Sequence, residues 1–468
     1  MLLGALVAAT LPPSAAARLL SPARGGRTSL VGVSGVQKLV LDRAALAALR
    51  TSDHAAVVAF PLGRERAVDL VVERFTPFAP GARAEAIDIG GPRTLALPDE
   101  VYFRGTIAGE DDSRALLIAG PDSVHGFVVS GGDVFPFGPD ARGGHRIYVL
   151  RNADPLIHPP PGDFCANDLH PEAVAVPEDP LAPAAGAPVA ADTSGALKLA
   201  DVALDTDQEL RAKFPSDAAA LSYLASLAAA ATTIYERDVA VRLQFSYIRL
   251  WDAADPWTAT SPGAALSEVQ TYWNNPANAM ATIAGPRTIV HLVSGKTVQG
   301  GVAYVGVLCN ATYGYGVSQV FGSFDLSQPS QIWDVLVFTH EVGHNFGSPH
   351  THCYSPPVDE CDNQEAGCYA GPAVCSRGTI MSYCHLNCGG LADMDLVFGS
   401  VVNARIGQTV SAASCLATVP VVTTTTTLAA ATTSTTTSTT TTPTSSTTTT
   451  TRTSTSTTTT TSPPCGFA

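Results

Sequence analysis

The eleven residues HEVGHNFGSPH, 340–350, constrain this chain more than any other stretch of it. They hold three of the 11 histidines in a sequence of 468 residues. On a helix, His340 and His344 lie four apart and project from one face. Two imidazoles can then reach one ion at about 2.0–2.1 Å, the usual zinc–nitrogen distance. Glu341 sits beside that ion without ligating it, placed to take a proton from the attacking water. Gly347 ends the helix, where the chain must turn with positive φ, and the turn returns His350 as third ligand. Three protein ligands and an open fourth position describe catalytic Zn2+; structural zinc fills all four. Upstream, QIWDVLVFT supplies the helix, with Ile332, Val335 and Phe338 at core-like spacing. Composition gives the whole pattern a chance of about two in a hundred thousand.

The rest of the chain says where such a site would operate. The net charge of −14 argues against a nucleic-acid partner, which needs clustered Lys and Arg. Residues 1–17 join a short apolar run to Pro12, Pro13 and small residues, which reads as a secretory signal peptide. That run is too short to cross a bilayer, which takes about 20 apolar residues. No later segment is read as a transmembrane span, so the expected location is secreted and extracellular. Eight of the ten cysteines lie between Cys309 and Cys415. A dense, even set in an exported chain implies disulfides. The spacings contain no C-x-x-C pair, against a second zinc site.

Composition divides the remainder. Residues 18–160 alternate polar and apolar in short runs such as AVDLVVERF and RALLIAG, and read as a β-rich domain. Residues 161–195 are rich in Pro and Ala without a period, a linker. Residues 196–417 begin with the strand LKLADVALD, the Ala-rich amphipathic helix DAAALSYLASLAAAATTIYERD and the strand VRLQFSYIRLW, a layered mixture of helix and sheet. Residues 418–468 are a Thr- and Ser-rich low-complexity tail with almost nothing to bury, hence disordered.

The pattern H-E-x-x-H-x-x-G-x-x-H is the metzincin signature, and GTIMSYC supplies the expected Met-turn at Met381. The chain resembles the reprolysin-like (adamalysin) branch of the metzincins. GVAYVGVLC, 301–309, is similar to that family's substrate-holding edge strand, and FRGTIAGEDDSRALLIAG, 103–120, is similar to its propeptides. The resemblance implies an α+β catalytic domain, with a twisted mixed sheet and an active-site helix. It also implies a zinc metalloendopeptidase acting on protein or peptide substrates and made as an inactive precursor. The 18–160 domain would then be a prodomain that inhibits its own enzyme. A Cys309–Cys415 disulfide is likewise what the resemblance implies.

Three residues leave alternatives open. Tyr383 stands where adamalysins have Pro, as in astacins and serralysins, so it is a candidate to contact zinc or the developing oxyanion. His352, where adamalysins have an Asp one position earlier, reads as solvent-facing. Cys165 is either an inhibitory thiolate at the open zinc position, a disulfide partner of Cys465, or a reduced thiol. Two other functions stay in view: a non-catalytic adhesion or matrix-binding protein on a retained metzincin fold, and a zinc hydrolase of non-peptide bonds.

Overall fold

The computed structural model describes residues 17–23, 30, 32–63, 66–140, 143–153, 165, 196–323 and 331–419. Residues 1–16 of the expected leader, the linker apart from Cys165 and the tail beyond 419 lie outside the described residues.

Alternation in the first part produces a nine-stranded sheet in which every pair is antiparallel. Its order is Leu20–Pro22, Gln37–Leu41, His145–Ile147, Asp133–Pro139, Val124–Ser130, Glu110–Ala119, Val101–Ile107, Ala67–Phe75 and His54–Pro61. The period-two rule holds along AVDLVVERF: Val68, Leu70 and Val72 are buried, while Ala67, Asp69 and Glu73 are exposed. The N-terminal region is therefore β-rich, as its patterning implies.

The second sheet has eight strands and is mixed. Tyr315–Gln319, Ile289–Ser294, Lys198–Thr206 and Val241–Trp251 run parallel, and Gly301–Ala303 closes one edge antiparallel. The short strand Ala417–Thr418 also pairs with Lys198–Thr206. At the other edge the sheet takes two strands from the N-terminal region. Phe78–Asp88 pairs parallel with Val241–Trp251, and Gly91–Leu95 follows antiparallel. Sheet membership thus does not follow chain order. The register sets Arg249 opposite Glu85, and Arg249 Nε lies 3.1 Å from the Glu85 carboxylate with its side chain 3% exposed.

Between the sheets runs the helix Asp217–Val239, with Ser216 Oγ accepting from Ala219 N at 3.2 Å at its start. This helix is long and apolar enough to cross a membrane, contrary to the reading of the sequence, but 83% of its apolar window is buried in the fold. A helix apolar on all sides suits a position packed on all sides. Thr232 donates to Leu243 O at 2.6 Å, joining helix to sheet. On its other side the helix meets the nine-stranded sheet, where His125 Nε2 and Ser226 Oγ are 3.1 Å apart, and at its start Asp217 pairs at 2.6 Å with Arg93 of the edge strand Gly91–Leu95. One continuous hydrophobic core spans this seam.

The eight clustered cysteines form four bonds: Cys309–Cys415, Cys353–Cys368, Cys361–Cys384 and Cys375–Cys388. The pairing expected between Cys309 and Cys415 is present.

Candidate metal centre

The helix Gln331–Asn345 carries the first half of the site. Ile332, Val335 and Phe338 are buried as their spacing implies, but so are Trp333, Leu336 and Val337, so the helix is core on every face. Asp334, in its first turn, accepts from the backbone N–H groups of Phe321 at 2.7 Å and Gly322 at 3.0 Å, and from Tyr223 Oη at 2.8 Å. Burial pushes its pKa up to about 7, against the pull of these bonds. At the other end, Gly347 has φ of 91°, and a Cβ there would collide with Thr409. The chain then reverses, and Thr351 N donates to Met381 O at 3.0 Å, tying the turn to the segment below.

The reversal brings three imidazoles together. His344 Nε2 is 3.1 Å from His340 Nε2 and 3.1 Å from His350 Nε2. Each ring is held by its other nitrogen: His340 Nδ1 lies 2.7 Å from Ile380 O, His344 Nδ1 2.7 Å from Ser348 O and His350 Nδ1 2.6 Å from Glu365 Oε2. Those acceptors require the proton on Nδ1. Three buried Nε2 lone pairs therefore face one another with no proton to share, an arrangement that a cation stabilises. Tetrahedral zinc with bonds of about 2.0–2.1 Å places its nitrogens about 3.3 Å apart. The residues fit Zn2+. Burial, then the neighbouring imidazoles, hold His340 well below its usual pKa, and the same causes push His344 down to about 3. Both stay neutral, the form that ligates.

Glu341 is fully buried beside the three rings. Met381 lies beneath them, so close to the helix that a Cβ on Gly343 would come within 2.6 Å of its sulfur. Met381 thus packs its apolar side chain against the helix that carries His340 and His344.

Cys165 arrives from the far side. Its Sγ lies 3.4 Å from His344 Nε2 and 3.5 Å from Glu341 Oε2. The sulfur and the ligand atoms of His340, His344 and His350 all fall within 4.8 Å of one another. Its backbone bridges in parallel to Gly301, on the edge strand Gly301–Ala303. Tyr383 Oη donates to Cys165 O at 2.9 Å, and its ring centroid is 4.4 Å from that of His350. Cys465 lies outside the described residues.

Residues 197–388 match the family model described as Reprolysin_5, metallo-peptidase family M12. This segment resembles the reprolysin-like M12 metallopeptidases. The matched stretch contains His340, Glu341, His344, Gly347, His350, Met381 and Tyr383. A solved structure, metalloproteinase-II from Bacteroides fragilis, is similar at 11% identity, over 74% of this chain and 88% of that one, with a TM-score of 0.39. No curated protein matches the sequence.

The peptidase segment corrects one reading and adds one residue. His352 does not face solvent: it is fully buried and donates through Nε2 to Glu365 Oε2 at 2.9 Å. The irregular backbone after His350 folds the ring inward, and sequence carries no period there to reveal it. Glu365 itself gave no signal, because it contacts the site only through that folded loop. Burial would raise its pKa, but bonds from His350 and His352 outweigh this and hold the carboxylate below its ordinary range. The other clusters with ligand-like side chains use cysteines already committed to disulfides, Cys353 in one and Cys361 and Cys384 in another.

Proposed function

We propose that this chain is the precursor of a secreted zinc endopeptidase, in which residues 18–160 act as an inhibitory prodomain. The observation that supports it is the convergence of three imidazole Nε2 atoms beside a buried glutamate, next to an edge strand. His340, His344 and His350 would hold the ion, and Zn2+ when bound lowers the pKa of a water and polarises the scissile carbonyl. Glu341 takes a proton from the attacking water and delivers it to the leaving amine. The edge strand Gly301–Ala303 offers main-chain groups to an extended peptide, which is why peptide bonds are favoured over other hydrolysable bonds. Tyr383 Oη, once released from Cys165 O, is within reach of an oxyanion on that peptide.

Cys165 occupies the substrate's side of the site in the uncut chain. Its sulfur is positioned as a fourth ligand, and its backbone lies along the strand a substrate would use. Both features support inhibition by the N-terminal region. The four disulfides support an oxidising destination, in keeping with export.

The test is hydrolysis of casein by zinc-loaded protein cut between residues 166 and 195. Activity should appear on cutting, vanish with a chelator and return with zinc. Glu341→Gln should retain zinc and fold while losing about 10²–10⁴-fold in rate, the usual contribution of a general base. A cut, zinc-loaded wild type that hydrolyses nothing would sink the proposal in favour of a binding protein on the same fold. Cys165→Ser should make the uncut precursor measurably active; an equally silent mutant would leave steric cover as the whole of the inhibition.

A further inference from the structure

The three ring nitrogens that orient the candidate ligands do not have equivalent partners. His340 and His344 donate to main-chain carbonyls, Ile380 O and Ser348 O. His350 donates instead to a side chain, Glu365 Oε2, at 2.6 Å. A carboxylate is the stronger acceptor and makes the imidazole a better donor to a cation. It is also the acceptor that a single side-chain substitution removes, whereas the carbonyls of Ile380 and Ser348 belong to the main chain.

That loop is anchored around Glu365 at several points. Cys353–Cys368 closes it, with a separation of 15 residues. Tyr369 N donates to His352 O at 3.0 Å, and Val358 N donates to Thr351 O at 2.9 Å. His352 supplies a second N–H to the same carboxylate oxygen, and its ring stacks on His350 at 5.4 Å between centroids and 12° between planes. Its Nδ1 is buried and has no hydrogen-bond partner among the described residues. The polar capacity that His352 uses is thus spent on Glu365.

We propose that Glu365 is the positioning residue of the metal centre, fixing the tautomer and direction of His350, with His352 and the Cys353–Cys368 bond holding the carboxylate in place. This rests on the proposed zinc site. The metal affinity of the chain then depends on a residue 15 positions beyond the last ligand. His352 acts through Glu365 and does not ligate.

The experiment uses the full-length chain and two readouts other than hydrolysis: transfer of zinc to a chromophoric chelator, and the visible spectrum of the cobalt-substituted protein. Glu365→Gln should weaken zinc about 10–100-fold, the usual cost of losing an outer partner of a ligand, and should shift the cobalt bands. His352→Phe keeps the stacked ring and removes one anchor, so its effects should be smaller and in the same direction. Reduction of Cys353–Cys368, or its replacement by two serines, should weaken zinc as well. A Glu365→Gln protein with zinc affinity within twofold of wild type and an unchanged cobalt spectrum overturns the proposal, whatever its melting temperature. If that variant does not fold, His352→Phe decides alone: an unchanged spectrum and affinity overturn it, a shifted spectrum with weaker zinc supports it. A wild-type chain that takes up no zinc defeats the function proposed above together with this inference; a wild type that binds while Glu365→Gln binds equally defeats this inference only.

Discussion

The nine-stranded and eight-stranded sheets are assembled in different ways. In the N-terminal sheet most neighbours are consecutive strands joined by short turns, and all pairs are antiparallel. In the peptidase sheet the central pairings are parallel and distant: Val241–Trp251 pairs with Phe78–Asp88 across more than half of the first 250 positions. Alternation and turn residues encode the first kind of pairing locally. The second kind depends on faces that meet only after helices have packed between them. One region can be read strand by strand; the other must be seen assembled.

If the borrowed hairpin is integral to the peptidase sheet, its loss should be costly. Arg249→Met leaves the Glu85 carboxylate without its opposite charge in a nearly buried setting, and the expected loss is about 3–5 kcal/mol in urea unfolding. A loss under about 1 kcal/mol, the size of an exposed pair, would show that the hairpin merely leans on the sheet.

A smaller effect is expected from the seam between the regions. Burial, then His145, pushes His125 down to about 4. The unfolded chain therefore binds more protons than the folded one between about pH 6.5 and 4. This contribution is complete above about pH 6.5 and is lost as pH falls through that window, by at most about 3 kcal/mol. His125→Gln should flatten the acid limb of stability against pH while keeping a partner for Ser226. An unchanged acid limb would place the pH sensitivity elsewhere.

The smallest effect is local and should be alike in both regions. Ala59 and Ala240 each hold positive φ, 51° and 53°. Relief of left-handed strain, less the added freedom of the unfolded chain, should make Ala59→Gly and Ala240→Gly each more stable by about 0.5–1 kcal/mol. Opposite signs at the two positions would show that tertiary packing, and not backbone strain, governs them.

The legible parts of the site share a cause. His340, Glu341 and His344 follow from helical spacing, Gly347 from its turn, His350 and Met381 from their fixed distance to that helix. Cys309–Cys415 came from a resemblance, and the structure forms it. Glu365 and the inward turn of His352 were not legible, because the segment holding them has no hydrophobic period and takes its shape from three disulfides. The helix Asp217–Val239 was legible as a helix, and its length and apolarity are there in the sequence too; its burial was not, since its surroundings come from both sheets. Cys165 could be placed near the site by position alone; its contact with His344 and the hold of Tyr383 on its carbonyl are properties of the folded chain.

The hairpin 78–95 also bears on the order of synthesis. A ribosome delivers it well before Val241–Trp251 exists, and N-terminal units fold first as the chain emerges. When the later strand appears, its parallel neighbour is already formed and tethered nearby, so the slow search that parallel pairing demands is shortened. The expected outcome is that residues 196–419 expressed without residues 78–95 refold far more slowly than the whole chain, a deficit that supplying the N-terminal region in trans should repair.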